Sequence, residues 1–197
     1  MSVQTELDSA RLLGEQLEEL VVKRGQCPDD DRNILLMGYW ALVFDFHKGI
    51  LNSIRNGWCG SAFALVRPTV EALVRSHVAV KGSADDVKKL QEDDYRTNFA
   101  TVGPWIDKEF GLDDFMTKFL NHAKDALHSF THAGLSQLGR RFDGHNLTPK
   151  YEDAEITEVI RASTSAAWMV TNLVTKHLGF AGEAKKAEEL FLAWGQH

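Results

Sequence analysis

Apolar residues recur along most of this chain at three- and four-residue spacings, the period of one helix face, and no stretch reads convincingly as a strand. Seven helical segments follow from that pattern. The first covers about residues 5–23, with Leu7, Leu12, Leu17, Leu20 and Val21 on its stripe, and stops before Gly25 and Pro28. Asp29 to Asp31 offer a cap and an acidic first turn to a second helix reaching Arg55, which Asn56 and Gly57 close. The third spans residues 60–81 and carries Pro68, which predicts a kink or a helix start near that point. Ser83, Asp85 and Asp86 cap a fourth, more polar helix that reaches about Ala100. Gly103 and Pro104 are read as its breaker, with a short helical turn over 105–110. A fifth helix is predicted over 112–140, a loop over 141–151, a sixth helix over 153–178 and a last one over 182–194. The fold class is therefore all-α, an up-and-down bundle of about six to seven helices in a single domain over residues 1–197. Its core helices are 29–55, 60–81, 112–140 and 153–178, and the terminal helices are peripheral.

The third helix is apolar on almost every side, yet Arg67, Glu71 and Arg75 recur along it at four-residue spacing within an arc of about 80°. Glutamate one turn before arginine is the favourable order on a helix. With no wide solvated face to use, these charges need partners, because an unpaired charge away from water is very costly. The pattern predicts an internal polar network that either fixes the fold or forms a site. Arginine's fork suits phosphate and carboxylate, so Arg67 and Arg75 are the anion-binding candidates, with Glu71 between them.

Composition narrows the function classes. At 197 residues, 44% apolar and 25% charged, the chain has the make-up of an ordinary soluble globular domain. A net charge of −6 argues against general duplex-DNA binding, although a local basic patch is compatible with it. The amphipathic, acidic first residues lack the basic and apolar regions of a signal peptide, and the apolar run 34–44 is too short to span a bilayer, so a cytoplasmic location without membrane association is expected. Cys27 and Cys59 are isolated and read as reduced thiols. Glycine-rich nucleotide loops and nucleophile-elbow motifs are absent from the sequence.

Three further constellations could carry chemistry. His128 and His132 stand four apart, with Asp125 one turn before His128, a spacing that can chelate one metal ion or serve one substrate as acid and base. His47 shares a helix side with Trp40, Val43, Phe44, Leu51 and Ile54 and is expected to point inward. If it met His128 and His132, three imidazoles would make an open divalent-metal site. Arg140 and Arg141, followed by His145, form a basic pair at the edge of the predicted loop and are further anion-binding candidates.

Residues 61–77, SAFALVRPTVEALVRSH, and 127–141, LHSFTHAGLSQLGRR, resemble an uncharacterised bacterial family of small all-helical proteins of unknown function. That resemblance implies a helical bundle and no established activity. Arg140 and His145 match the arginine-x4-to-6-histidine string of the HEPN ribonucleases, whose resemblance implies metal-independent RNA cleavage. A fainter similarity, through His47, His128 and His132, is to the DinB-like metal-binding bundles, and implies a bound divalent metal.

The expectation is a pocket of Arg67, Glu71, Arg75, His128 and His132 for an anionic small molecule or RNA, with a histidine as acid or base in any catalytic version. The alternatives are the divalent-metal bundle and a non-enzymatic interaction module. Exposed leucines on the first helix, with Phe191, Leu192 and Trp194 near the C-terminus, make a homodimer the expected assembly.

Overall fold

The computed structural model describes residues 2–25, 29–131, 134–143 and 145–196, the side chains of 123–128, 130–131, 136–137, 143 and 147 excepted. Nine helical segments are seen among the described residues: α1 (Val3–Val22), α2 (Asp31–Arg55), α3 (Cys59–Lys81), α4 (Ala84–Gln91), α5 (Phe99–Phe110), α6 (Phe115–Thr131), α7 (Leu135–Gly139), α8 (Asp153–His177) and α9 (Ala181–Trp194). The protein is all-α. A hairpin of two residues per strand, β1 (Phe142–Asp143) and β2 (Asn146–Leu147), occupies part of the predicted loop.

α8 is the hub of the bundle. It packs against α1, α2, α3 and α9, while α2 lies along α3 and the α5–α6 pair covers another side of α3. Leu17, Leu36, Phe44, Ile50, Leu73, Ile106, Leu120, Ile160 and Leu173 are fully buried between these layers. α8 also buries Ser163, Thr164, Thr171 and Thr175, whose hydroxyls donate to carbonyls three or four residues back and so are satisfied within their own helix. α2 has the length and apolarity of a membrane span by composition; it also contains Asp45, His47 and Lys48 and packs on α1, α3 and α8.

Three predicted elements differ in the structure, each for a local reason. Gly103 and Pro104 do not break a helix; both lie inside α5. A Cβ at Gly103 would stand 2.9 Å from the Thr117 backbone, so this glycine permits the close approach of α5 and α6. The helix predicted to reach Ala100 ends at Gln91, and residues 92–98 cross from α4 to α5 as a strap that turns at Asp93, φ 54°, and forms no helix or strand. The helix predicted over 112–140 is divided at Gly134, whose amide bonds to the Ser129 carbonyl at 2.6 Å and whose Cα lies so close to Ser129 that a Cβ would overlap it. By contrast α3 runs unbroken through Pro68, at the cost of the bond to the Ala64 carbonyl.

His47 is 1% exposed and joins three helices: Nδ1 lies 3.0 Å from the Ser163 Oγ on α8, and the ring packs against Gly14 on α1. A Cβ at Gly14 would come within 2.9 Å of Nε2. Gly14→Ala is therefore expected to push α1 off the bundle and lower the unfolding free energy by about 2 kcal/mol, although alanine is the better helix former. Urea denaturation checks this, and an unchanged or raised midpoint would contradict it.

Candidate functional site

Arg67, Glu71 and Arg75 occupy successive turns of α3 on the side covered by α5, α6 and the strap. Their side chains are 25%, 30% and 26% exposed, so they line the wall of an open groove of about 650 Å³ instead of lying sealed in the bundle interior. The reason is geometric. The strap, which is not a helix, lies beside a gap at α3, and Tyr95, Arg96, Phe99 and Asn121 complete its rim.

The two α3 arginines are held very differently. The Arg67 Nε donates to the Glu71 Oε1 at 2.8 Å, a charge-assisted bond one turn apart that fixes the guanidinium along the helix. Arg75 meets the strap through long contacts: 3.6 Å to an Asp93 carboxylate oxygen, 3.5 Å from Nε to the Thr97 Oγ1 and 3.4 Å from Nη2 to the Tyr95 carbonyl. The Asp93 side chain is itself 93% exposed. Among the described residues the Arg96 side chain, exposed on the strap, has no ion pair or hydrogen bond. Burial pushes the Tyr95 phenol up, and Asp86 adds to that shift against the opposing effect of Arg75, so the hydroxyl remains a neutral donor at physiological pH.

Of the other predicted site residues, His132 lies outside the described residues, as does the side chain of His128. The backbone of His128 lies in α6, two turns beyond Asn121 of the groove rim. His47 is on another side of the molecule, enclosed by α1, α2 and α8, while α6 packs on α3 and α5. Burial drives the His47 pKa down to about 4, against the opposing effect of the Ala10 carbonyl, so this imidazole is neutral at pH 7. Among the described residues no group of three or more His, Cys, Asp or Glu side chains could hold a metal ion.

Arg140 and Arg141 sit at the N-terminal end of α3, against Phe63 and Gly60 respectively, one and two turns before Arg67. Arg140 forms a two-pronged ion pair with Glu155 of α8, one prong 2.5 Å long, and its guanidinium lies 5.5 Å from the centre of the Phe63 ring and 5.6 Å from that of Tyr151. This clamp ties the hairpin to α3 and α8. The guanidinium holds the Glu155 carboxyl below the usual carboxylate range, although burial opposes it. Arg141 lies against Gly60, where a Cβ would collide with its Nη2. His145 is exposed at the hairpin turn. Cys59 is half-buried in α3, burial pushing its thiol up, and Cys27 lies outside the described residues.

The strap, which falls inside the predicted fourth helix, supplies Tyr95, Arg96, Thr97 and Asn98 to the groove, and Phe99 follows at the start of α5. The signal for the strap is the sequence DDYRTNF itself, where a basic residue and aromatics follow an acidic pair with no helical stripe. Comparison with protein-family models, curated proteins and solved structures finds no match for the chain.

Proposed function

We propose that this protein binds an anionic ligand, bearing phosphate or carboxylate groups, in the groove between α3, the strap and α6. The observation that carries the reading is the loose hold on Arg75: a guanidinium one quarter exposed, facing a groove, whose ion pair and hydrogen bonds among the described residues are no shorter than 3.4 Å. An anion there gains the geometry that a fork of N–H donors offers and that Asp93 uses only at long range. Arg96 supplies a second charge from the opposite rim, and the α5 N-terminus, which has no side-chain cap at Asn98, adds its positive end. Arg67, committed to Glu71, shapes the wall. RNA phosphate and small phosphorylated or carboxylated molecules share this chemistry.

Calorimetric titration with pyrophosphate tests the reading. Arg75→Ala is expected to weaken binding at least about tenfold, the loss of one charge-assisted hydrogen-bonded contact. Asp93→Asn is expected to tighten it about threefold, since the competing carboxylate is exposed and its hold on Arg75 is worth well under 1 kcal/mol. Absence of heat at millimolar pyrophosphate, or identical affinity in both variants, would rule the groove out as an anion site.

A further inference from the structure

The groove does not end at the strap. A second depression, of about 480 Å³, adjoins it between α4, the strap and α5, and Tyr95, Arg96 and Asn98 line both. The two therefore share a crest and form one surface. Its halves differ in chemistry. On the α3 side stand Arg75 and Phe99; on the other stand Trp105, Asp86, Asp94 and Lys89, whose ammonium is paired with the Asp85 carboxylate at 2.5 Å. Asp86 is engaged in the α4 cap, taking bonds from the Ser83 amide at 2.9 Å and hydroxyl at 2.7 Å. Phosphates are thus favoured on the α3 side and at the crest, whereas the second depression, with its carboxylates and an indole face, favours uncharged planar groups that hydrogen-bond and stack.

We infer that the joined surface is a track for a single-stranded nucleic acid, with backbone phosphates on Arg75 and Arg96 and bases on Phe99, Tyr95 and Trp105; this rests on the anion-binding reading above. Tyr95, Phe99 and Trp105 are half-buried against the core and line the furrow together with the two arginines, and aromatics beside cationic forks are the physical requirement for holding unpaired bases and their backbone together. A duplex hides its base faces and depends on many phosphate contacts for affinity, a poor match for a surface with this few cations and a chain of net charge −6. A mononucleotide would fill one depression and leave the other idle.

Fluorescence anisotropy with a labelled oligouridylate of about eight nucleotides, within the usual site size for a small domain, tests the track against uridine monophosphate and an oligoglutamate of equal length. The oligonucleotide is expected to bind at least about tenfold tighter than the monophosphate, with a log–log salt slope of about −1.4 for about two phosphates. Trp105→Ala and Phe99→Ala are each expected to cost about tenfold for the oligonucleotide. Arg96→Ala, at an exposed position where folding is not at risk, is expected to lower the salt slope by about 0.7. If pyrophosphate binds through Arg75 but the oligonucleotide gains nothing over the monophosphate, or oligoglutamate matches it, the track is wrong and the anion groove stands. If pyrophosphate, monophosphate and oligonucleotide all fail to bind, both readings fall.

Discussion

Lowering the pH from about 7 to about 4 is expected to remove about 3 kcal/mol of stability for each of two histidines. His47 and His77 are 1% and 0% exposed, and burial drives both pKa values from 6.5 to about 4. The His77 Nδ1 donates to the Leu73 carbonyl at 2.9 Å and its ring meets the edge of Phe110, so the neutral form is built into α3. Nearby Glu109 and Lys81 act in opposite senses on it. In the unfolded chain these imidazoles take up protons below about pH 6.5 while the folded protein does not. The unfolded state then binds more protons, and the unfolding free energy rises with pH between about 4 and 6.5 and is fully present above that range. Urea titrations at several pH values measure the slope. His47→Gln and His77→Gln should each flatten it, whatever they do to stability at neutral pH. A double variant that titrates like the parent would place the acid sensitivity elsewhere.

Asp107→Ala is expected to cost about 3 kcal/mol, the loss of a buried cap with several donors left unpaired. Asp107 belongs to α5, yet its carboxylate accepts from the Met116 amide at 2.7 Å, the Thr117 amide at 2.9 Å and the Thr117 hydroxyl at 2.6 Å, all at the start of α6. Burial raises its pKa, but the donors from Thr117 and Met116 outweigh it and hold the carboxyl below the usual range. Because α6 carries Asn121 of the groove rim, the variant should also weaken pyrophosphate binding at temperatures where it is still folded. Asp107→Asn, which keeps one acceptor oxygen, should lose clearly less in a thermal melt. Equal losses for the two variants would mean that the carboxylate is not what holds α6.

Much of the bundle is legible in the chain, and the reasons it is legible also explain where reading fails. α8 runs from Asp153 to His177 as its acidic first turn and the following Gly179 indicate, because both ends are set by local chemistry. Gly103 and Gly134 mislead in opposite ways. One looks like a stop and is a packing contact between helices, while the other sits in a helical stripe and divides it through a contact with Ser129. Both depend on which backbone lies opposite, which spacing does not encode. In the candidate site, the four-residue rhythm of Arg67, Glu71 and Arg75 places them on one wall of α3 from the sequence alone. Their degree of burial was out of reach, because it is decided by the strap, whose Tyr95 and Arg96 have no periodicity and whose path requires Asp93 in a left-handed conformation.

The Glu155 carboxylate also accepts from the Glu152 amide at 3.1 Å, closing the capping box of α8, while it holds Arg140 of the segment before the hairpin. A single side chain thus fastens the front of the central rod of the bundle and the segment that precedes the hairpin. Losing that carboxylate, as in Glu155→Ala, should consequently raise both protease cutting in the segment before the hairpin and amide deuterium uptake in the first turn of α8.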